Sequence, residues 1–184
     1  MARVVVRDSR SIDSVVPFTV DVKERLDPFT LENSYLKASF DSNGLLTALS
    51  HGGRETASVA IQFLHYGTRS GNQAKSGAYL FLPGGPGRVV EASAEENGVR
   101  IVEGSIRSQV VVTLPLVVHQ VTLHRSPGID GVNLDIDNLV NLSGQSNLEV
   151  AMRLVTNIDS GTVFYSDLNG LQVIIIDVTS DSFS

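Results

Sequence analysis

Asn133, Asp135 and Asp137 have the spacing that most resembles a chemical site. They lie two residues apart, so a β-strand would carry all three on one face. Neighbouring positions on one face are about 7 Å apart, and two carboxyl groups at such a separation can bind a metal or act as acid and base. However, Leu134 and Ile136 occupy the other face, as in an ordinary strand with one buried side. We therefore expect the three polar side chains to form a solvated face.

Histidine and cysteine show no pattern of a metal site. The sequence has no cysteine, and its four histidines are His51, His65, His119 and His124. None has the spacing of a zinc-binding motif, so we expect structural roles for them. Asp41 and Asn43 precede Gly44, which favours a tight turn, because the further oxygen ligands of a calcium loop are missing. The residues therefore predict no catalytic group and no metal ligand in this chain.

Tyr79 is the candidate ligand-binding residue. It lies between two glycine-rich stretches, 67–71 and 84–87. Alternation predicts a strand from Tyr79 to Leu82 that ends at Pro83, which cannot donate to a ladder. A tyrosine at a strand start can pack its ring while its hydroxyl reaches a ligand. The alternative, which the pattern alone favours, is a core tyrosine whose hydroxyl bonds the backbone.

Short strands separated by turns must position these residues. Alternating apolar residues predict strands at 31–40, 45–49, 58–66, 106–114, 117–124, 132–140, 148–156 and 163–165. Glycine, proline and asparagine mark the turns, and no long amphipathic helix is indicated. The sequence therefore predicts an all-β protein, an antiparallel β-sandwich. Residues 1–27 are expected to be a linker or an edge strand.

Composition narrows the classes of partner. The chain has 184 residues, 42% of them hydrophobic and 18% charged, which predicts a folded core. The net charge of −6 and scattered Lys and Arg argue against nucleic-acid binding. We expect no membrane contact by this chain and no targeting signal in it, because no long apolar run is present. Asn141 begins an Asn-Leu-Ser triplet and is a candidate glycosylation site.

Two longer blocks carry a family resemblance. Residues 76–83, Ser-Gly-Ala-Tyr-Leu-Phe-Leu-Pro, and residues 164–172, Phe-Tyr-Ser-Asp-Leu-Asn-Gly-Leu-Gln, resemble signatures of the class II α-mannosidases, glycoside hydrolase family 38. Residues 29–36 and 149–153 also resemble that family, particularly its Golgi mannosidase II group. Two ordered blocks of this length are more specific than a single short motif.

The resemblance implies a fold and its limits. Residues 28–172 resemble part of the family's C-terminal region, a galactose-mutarotase-like supersandwich, which would be incomplete here. Residues 173–184 are expected to form a divergent C-terminal tail, since the family pattern is lost after Gln172. An incomplete sheet is expected to expose its edges.

The resemblance also implies a role without catalysis. The family's zinc ligands and nucleophile lie in an N-terminal α/β catalytic domain, and no counterpart is present here. This chain would be the β-sandwich portion of a zinc-dependent, retaining α-mannosidase that trims N-glycans, inactive alone, in the Golgi lumen or another secretory compartment. Its partners would be that catalytic domain and a mannose-containing oligosaccharide, which Tyr79 would contact. The alternative is a stand-alone carbohydrate-binding or structural β-sandwich module.

Overall fold

The chain folds into two facing antiparallel sheets and a separate hairpin. The computed structural model describes residues 19–23, 27–52, 54–77, 80–91, 98–167 and 169–177. Within these ranges the only helix is a short 3₁₀ turn, Asp130–Val132. No helix of the described residues is long and apolar enough to cross a membrane. The all-β antiparallel sandwich predicted from the sequence is therefore confirmed.

The first sheet contains five strands in the order β1-β7-β8-β9-β10. Their bounds are Thr19–Lys23, Val99–Glu103, Arg107–Thr113, Val117–His124 and Leu134–Val140. Strands β7 to β10 form a continuous meander, in which short turns connect β7 to β8 and β8 to β9, and a longer connection with the 3₁₀ turn leads to β10. Strand β1, from the segment expected to be a linker or an edge strand, pairs antiparallel with β7 and forms one edge of this sheet.

The second sheet has the order β11-β5-β4-β3-β2, and the two-residue strand β6 pairs with β5. The bounds are Phe29–Glu32 for β2, Leu36–Phe40 for β3, Leu46–His51 for β4, Arg54–Gly67 for β5, Arg88–Val89 for β6 and Leu148–Thr156 for β11. Strand β11 pairs with β5 along its whole length without a register shift. The remaining strands, β12 at Val163–Asp167 and β13 at Val173–Asp177, form a two-stranded sheet of their own.

The core lies between the two large sheets. Strand alternation places one face of each strand inward, so Val110 and Val112 of β8 are buried, as are Val121 and Leu123 of β9. Further core residues from the second sheet are Leu36, Ala38, Phe40, Leu46, Ile61 and Phe63. Direct contact between the sheets is seen where the Phe63 ring meets the His119 ring edge-on at a centroid distance of 5.2 Å.

The strand predicted over residues 31–40 is in fact two strands, β2 and β3. The cause is Asn33, whose Oδ1 accepts hydrogen bonds from the backbone N–H groups of Tyr35 and Leu36 at 2.8 and 2.7 Å. Its Nδ2 donates to the carbonyls of His124 and Gly131, at 2.5 and 2.8 Å. The Asn33 side chain thus accepts hydrogen bonds from the turn backbone and also bonds the turn to residues next to the opposite sheet. A local sequence pattern does not reveal this long-range contact.

Candidate functional site

The loop between β5 and β6 contains the stretch that the sequence singled out. Ala78 and Tyr79 lie outside the described residues, so the predicted role of Tyr79 stays a prediction. The backbone on either side of them is joined, because the Gly77 N–H donates to the Leu80 carbonyl at 3.0 Å. The Leu82 N–H also donates to the Ser76 hydroxyl at 2.8 Å. These two hydrogen bonds join the described backbone before residue 78 to the described backbone after residue 79.

The strand predicted from Tyr79 to Leu82 was wrong for its described part. Leu80 and Leu82 lie in irregular structure, and Leu80 and Phe81 are 64% and 56% exposed. Among the described residues of the loop, the only pairing is an isolated antiparallel bridge between Thr68 and Pro83. Because Pro83 has no N–H to donate, the bridge cannot extend into a ladder at this point.

The returning arm of this loop packs closely on the end of β5. The Gly84 N–H donates to the Gly67 carbonyl at 2.8 Å, and Arg69 Nε donates to the Pro83 carbonyl at 3.4 Å. A Cβ atom on Gly84 would lie 2.5 Å from the Thr68 carbonyl oxygen, a distance that real Cβ atoms do not reach. Glycine at 84 therefore permits the approach of the two backbones.

Tyr66, the penultimate residue of β5, supports the same loop from the side. Its ring meets the ring of Phe81 edge-on at 5.0 Å and 89°, a favourable aromatic geometry. A Cβ atom on Gly87 would lie 2.6 Å from Cζ of Tyr66. We call Tyr66, Phe81, Gly84 and Gly87 the loop clamp. The sequence analysis missed the role of Tyr66, for which the only signal was an aromatic residue directly before a glycine-rich loop.

An open cleft lies at the base of the clamped loop. It has a volume of about 480 Å³ and is lined by His65, Gly67, Thr68, Gly84, Gly85, Pro86, Arg88 and Leu148. His65 and Arg88 are directly opposite each other on β5 and β6. The lining offers hydrogen-bonding groups such as the Thr68 hydroxyl and the Arg88 guanidinium, which suit hydroxyl-rich or anionic ligands.

A larger cleft of about 510 Å³ lies beside the β3–β4 turn and includes Asp41 and Asn43 in its lining. The carboxylate of Asp41 serves the turn, because its Oδ1 accepts from the N–H groups of Asn43 and Leu45 at 2.8 and 2.9 Å. Gly44 has a φ of +77°, as the predicted turn requires. The turn interpretation of these residues is therefore confirmed.

The polar series in β10 lies on a solvated face. Asp135 and Asp137 are exposed, whereas Leu134 and Ile136 pack against the core, and Asn133 lies just before the strand. The prediction of a solvated face is therefore confirmed for the two carboxylates. Sequence reasoning did not anticipate the partner of Asp135, whose Oδ2 lies 2.8 Å from His124 Nε2 on the neighbouring strand.

His119 is a core residue. Its Nδ1 lies 2.7 Å from Asn138 Oδ1, and since an amide oxygen only accepts, Nδ1 carries the proton. Its Nε2 is buried and has no hydrogen-bond partner among the described residues. Burial lowers the pKa of His119 below its ordinary value of 6.5, although the hydrogen bond to Asn138 opposes this. The imidazole is therefore held neutral.

The described residues provide no metal centre. They contain no group of three or more His, Asp or Glu side chains that could hold a metal ion. Asn141, the candidate glycosylation site, follows β10 and is exposed. Its Oδ1 accepts from the Ser143 N–H at 3.0 Å in a side-chain turn. The structure therefore leaves Asn141 accessible, and its modification stays a prediction.

Comparison with known proteins defines the class of this sandwich. Residues 31–177 match the model of the glycosyl hydrolases family 38 C-terminal domain. This region includes both large sheets except β1 and the first two residues of β2, and it also includes the clamped loop and the β12–β13 hairpin. The chain therefore belongs to glycosyl hydrolase family 38, as a C-terminal domain segment.

The particular relatives are α-mannosidases. The chain is 37% identical to rat Alpha-mannosidase 2 over 148 residues, which is 80% of this chain and 13% of the relative. It is 47% identical to Drosophila melanogaster Alpha-mannosidase 2 over 116 residues, 63% of this chain and 10% of the relative. The match to the human protein of that name is 37% over 146 residues, 78% of this chain and 12% of the relative. The chain thus spans only a small part of the relatives that it matches.

Proposed function

We propose that this chain is the non-catalytic β-sandwich portion of a zinc-dependent, retaining α-mannosidase that trims N-glycans in the Golgi or another secretory compartment. The observation that carries this proposal is the family match over residues 31–177, which includes the clamped loop around residue 79. The mannosidase relatives are much longer than the matched region. A catalytic domain elsewhere in such a protein is the partner that we propose for this sandwich.

The described residues offer no binding site for zinc. The described residues lack a suitable cluster of side chains, and the nearest pair, His124 and Asp135, is a cross-strand contact on a solvated face. We therefore assign zinc and the nucleophile to the catalytic domain. This chain's own contribution is to position substrate.

Tyr79 is the residue that we propose for substrate contact. The clamp residues Tyr66 and Phe81 and the hydrogen bond between Gly77 and Leu80 hold the flanking backbone. A fixed loop presents a side chain at lower entropic cost than a mobile one. A phenol can donate to or accept from a mannose hydroxyl. We propose a positioning contact of this kind, without acid or base action.

A chimera tests the proposal most directly. Residues 31–177 would replace the matching part of rat Alpha-mannosidase 2, and hydrolysis of an α-mannoside would be measured. We expect an active chimera in which Tyr79→Phe lowers kcat/KM by roughly 2- to 10-fold, because one hydrogen bond contributes about 0.5–1.5 kcal/mol. The matched control is Tyr35→Phe in the β2–β3 turn, which should leave the kinetics unchanged.

Two results would count against the proposal. If Tyr79→Phe leaves both kcat and KM unchanged in an active chimera, the substrate contact is refuted. If the isolated 184-residue chain hydrolyses mannosides when zinc is added, the assignment of the catalytic machinery to another domain is refuted.

The alternative is a stand-alone carbohydrate-binding module, for which the cleft beside Thr68 and Arg88 is the relevant observation. Calorimetric titration of the isolated chain with mannose tests it. Millimolar or tighter binding that is lost in Arg88→Ala would favour this alternative, and an absence of heat would leave the sandwich as a part of the larger enzyme.

A further inference from the structure

Asn141 follows strand β10 in a loop that the proposed function does not use. Of the asparagines in this chain, it alone is followed two residues later by serine or threonine, with a residue other than proline between them. This Asn-Leu-Ser triplet is the acceptor pattern for N-linked glycans. Such glycans are bulky and are carried on the protein surface, so the side chain must be accessible.

The loop holds Asn141 in a defined and accessible conformation. Its backbone N–H donates to the Leu116 carbonyl at 2.9 Å, which fixes the residue beside the turn between β8 and β9. Its Oδ1 accepts from the Ser143 N–H at 3.0 Å, so the amide oxygen is engaged in a side-chain turn. Residues 141–147 are all exposed. A transferase can therefore approach Asn141 and Ser143 from solvent.

An open apolar groove lies directly beside Asn141. It has a volume of about 370 Å³, within the range of about 300–1,000 Å³ that is typical of small-molecule sites. Its lining includes Leu116, Val118, Leu139 and Asn141 itself. Val118 and Leu139 are directly opposite each other on β9 and β10, and Leu139 is 70% exposed. Exposed apolar side chains are thus adjacent to the candidate acceptor.

The groove lies on the outer face of the first sheet. Val117 is buried, so strand alternation puts Val118 and its partner Leu139 on the opposite, outer face. The same face carries Asp135 and Asp137 of β10, both of which are exposed. A face with such charges is typical of a solvated side of an antiparallel sheet. The apolar residues beside Asn141 are an exception on this face, and a cover for them would come from the solvent side.

A glycan on Asn141 would supply such a cover. Its first N-acetylglucosamine presents C–H groups and an acetamide methyl group, and the burial of apolar surface against the groove is favourable. Because the sugar would be bonded to a residue that lines the groove, it would pack there without the entropic cost of association.

We propose that Asn141 is N-glycosylated and that its first N-acetylglucosamine packs in the groove beside Leu139. In the transfer step, Asn141 Nδ2 forms a bond to C1 of the sugar, while the bond from C1 to the diphosphate of a lipid-linked oligosaccharide breaks. Nδ2 loses one proton, and the lipid diphosphate leaves. The inference rests on the proposed secretory compartment, because the triplet is modified in proteins that enter that pathway.

Expression of the full 184-residue chain behind a cleavable signal peptide tests the acceptor site. The signal peptide sets the compartment, so this test does not depend on the location of the parent enzyme. We expect one N-glycan on the peptide that contains Asn141, removed by peptide N-glycosidase F and detected by mass spectrometry. Asn141→Gln and Ser143→Ala should abolish it, whereas Ser143→Thr should retain it. Ser146→Ala in the same loop is the matched control and should leave the glycan in place.

Unfolding in urea tests the packing of the sugar. Endoglycosidase H trims a high-mannose glycan to one N-acetylglucosamine, and the trimmed chain is compared with Asn141→Gln. We expect the sugar to lower the equilibrium constant of unfolding roughly twofold to fivefold. In Leu139→Thr, which removes the apolar contact at an exposed position, this difference should largely disappear. Ile129→Thr, exposed beyond the opposite end of β9, should keep it, and far-UV circular dichroism verifies the folding of each variant.

Each part of the proposal has an outcome that overturns it. A folded, secreted chain without a glycan refutes the acceptor site, and the groove would then serve an apolar segment of a longer protein. A sugar that stabilises Leu139→Thr as much as the unaltered chain refutes the packing. If the secreted chain is glycosylated but Asn141 is unmodified in the parent protein from its own cells, the proposed compartment fails and the acceptor site stands.

Discussion

At the scale of single residues, Tyr66 connects the rigid sheet to the candidate loop. Its ring is the surface on which Phe81 rests and against which Gly87 packs. The glycine-rich sequence around residue 79 suggests a flexible backbone. However, Gly84 and Gly87 allow the backbone to approach Thr68 and Tyr66 closely. The exposed loop is therefore held by particular approaches to β5 and not by a strand ladder.

Gly87→Ala is predicted to disturb this clamp. The new Cβ would lie 2.6 Å from the Tyr66 ring, and overpacking of this type costs about 1–3 kcal/mol. Urea unfolding of the purified chain measures the change. Gly85→Ala is the matched control, since its Cβ would meet nothing within 4 Å. An equal effect of the two substitutions would contradict the close packing of Tyr66.

His119 is predicted to make stability depend on pH. Because the folded state has the lower pKa, the unfolded chain binds more protons once the pH falls below 6.5. The free energy of unfolding should therefore keep its full value above that pH. As the pH falls further toward the folded-state pKa, it should decrease by up to about 1.4 kcal/mol per pH unit. Urea midpoints measured from pH 7.5 downward should show a smaller decrease in His119→Leu. An identical pH dependence in the variant would refute this origin.

The residue scale also separates what could be predicted from what could not. Side chains that act through local backbone, such as Asp41 in its turn, follow from sequence because the partners are two to four residues away. Asn33 does not, since its amide donates to the carbonyls of His124 and Gly131, which are more than 90 residues away. The pair of His124 and Asp135 was missed for the same reason, because strand register decides which residues meet diagonally.

At the scale of elements, the turn between β3 and β4 is part of the contact between the sheets. The hypothetical Cβ of Gly44 would lie 2.8 and 2.9 Å from methyl groups of Val112 and Val99. These valines belong to the opposite sheet. The turn thus has both a backbone requirement for positive φ and a packing requirement for the absence of a side chain.

Gly44→Ala is predicted to destabilise the protein more than Gly52→Ala. Both glycines have positive φ, +77° and +59°, but a Cβ at Gly52 would meet nothing within 4 Å. Both variants should lose about 1–2 kcal/mol of stability from backbone strain. Gly44→Ala should lose about 1–3 kcal/mol more from overpacking. Thermal or urea unfolding of the two variants gives the difference directly. Equal losses would show that the turn does not pack on the valines.

Strand positions were easier to predict than strand partners. The bounds 117–124 and 148–156 were both predicted from alternation and agree with β9 and β11. The pairing of β11 with β5 and of β1 with β7 was not accessible, because a strand's own sequence does not specify a distant neighbour. The strand prediction was wrong for the described residues Leu80 to Leu82, because their apolar alternation is outweighed by Pro83 and by the packing of Phe81 on Tyr66.

At the scale of the whole molecule, the β12–β13 hairpin is separate from the core. Its described residues are all exposed, and none belongs to the core cluster or packs against it. The family match nevertheless extends through this hairpin to residue 177. Its apolar face, including Phe164 and Ile174, therefore contributes little to the stability of the sandwich on its own.

A chain ending at Asn157 is predicted to keep its cooperative fold. Removing the later residues should change the free energy of unfolding by less than about 1 kcal/mol, since surface changes away from packed groups have small effects. Urea unfolding of the shortened and complete chains makes the comparison. Loss of the cooperative transition in the shortened chain would show that the hairpin is needed for the two-sheet core.

The order of strands in the second sheet has a consequence for synthesis on the ribosome. Strand β5 leaves the tunnel well before its neighbour β11, because Leu64 pairs with Ala151, which is synthesised 87 residues later. At about 5–20 residues per second, one flank of β5 goes without its native neighbour for on the order of ten seconds. The meander β7 to β10, whose contacts are sequential, can assemble within that interval. In a nascent chain stalled before residue 148, the unpaired flank of β5 would thus be open to chaperones. Once synthesis resumes, β11 would pair with this flank and cover it.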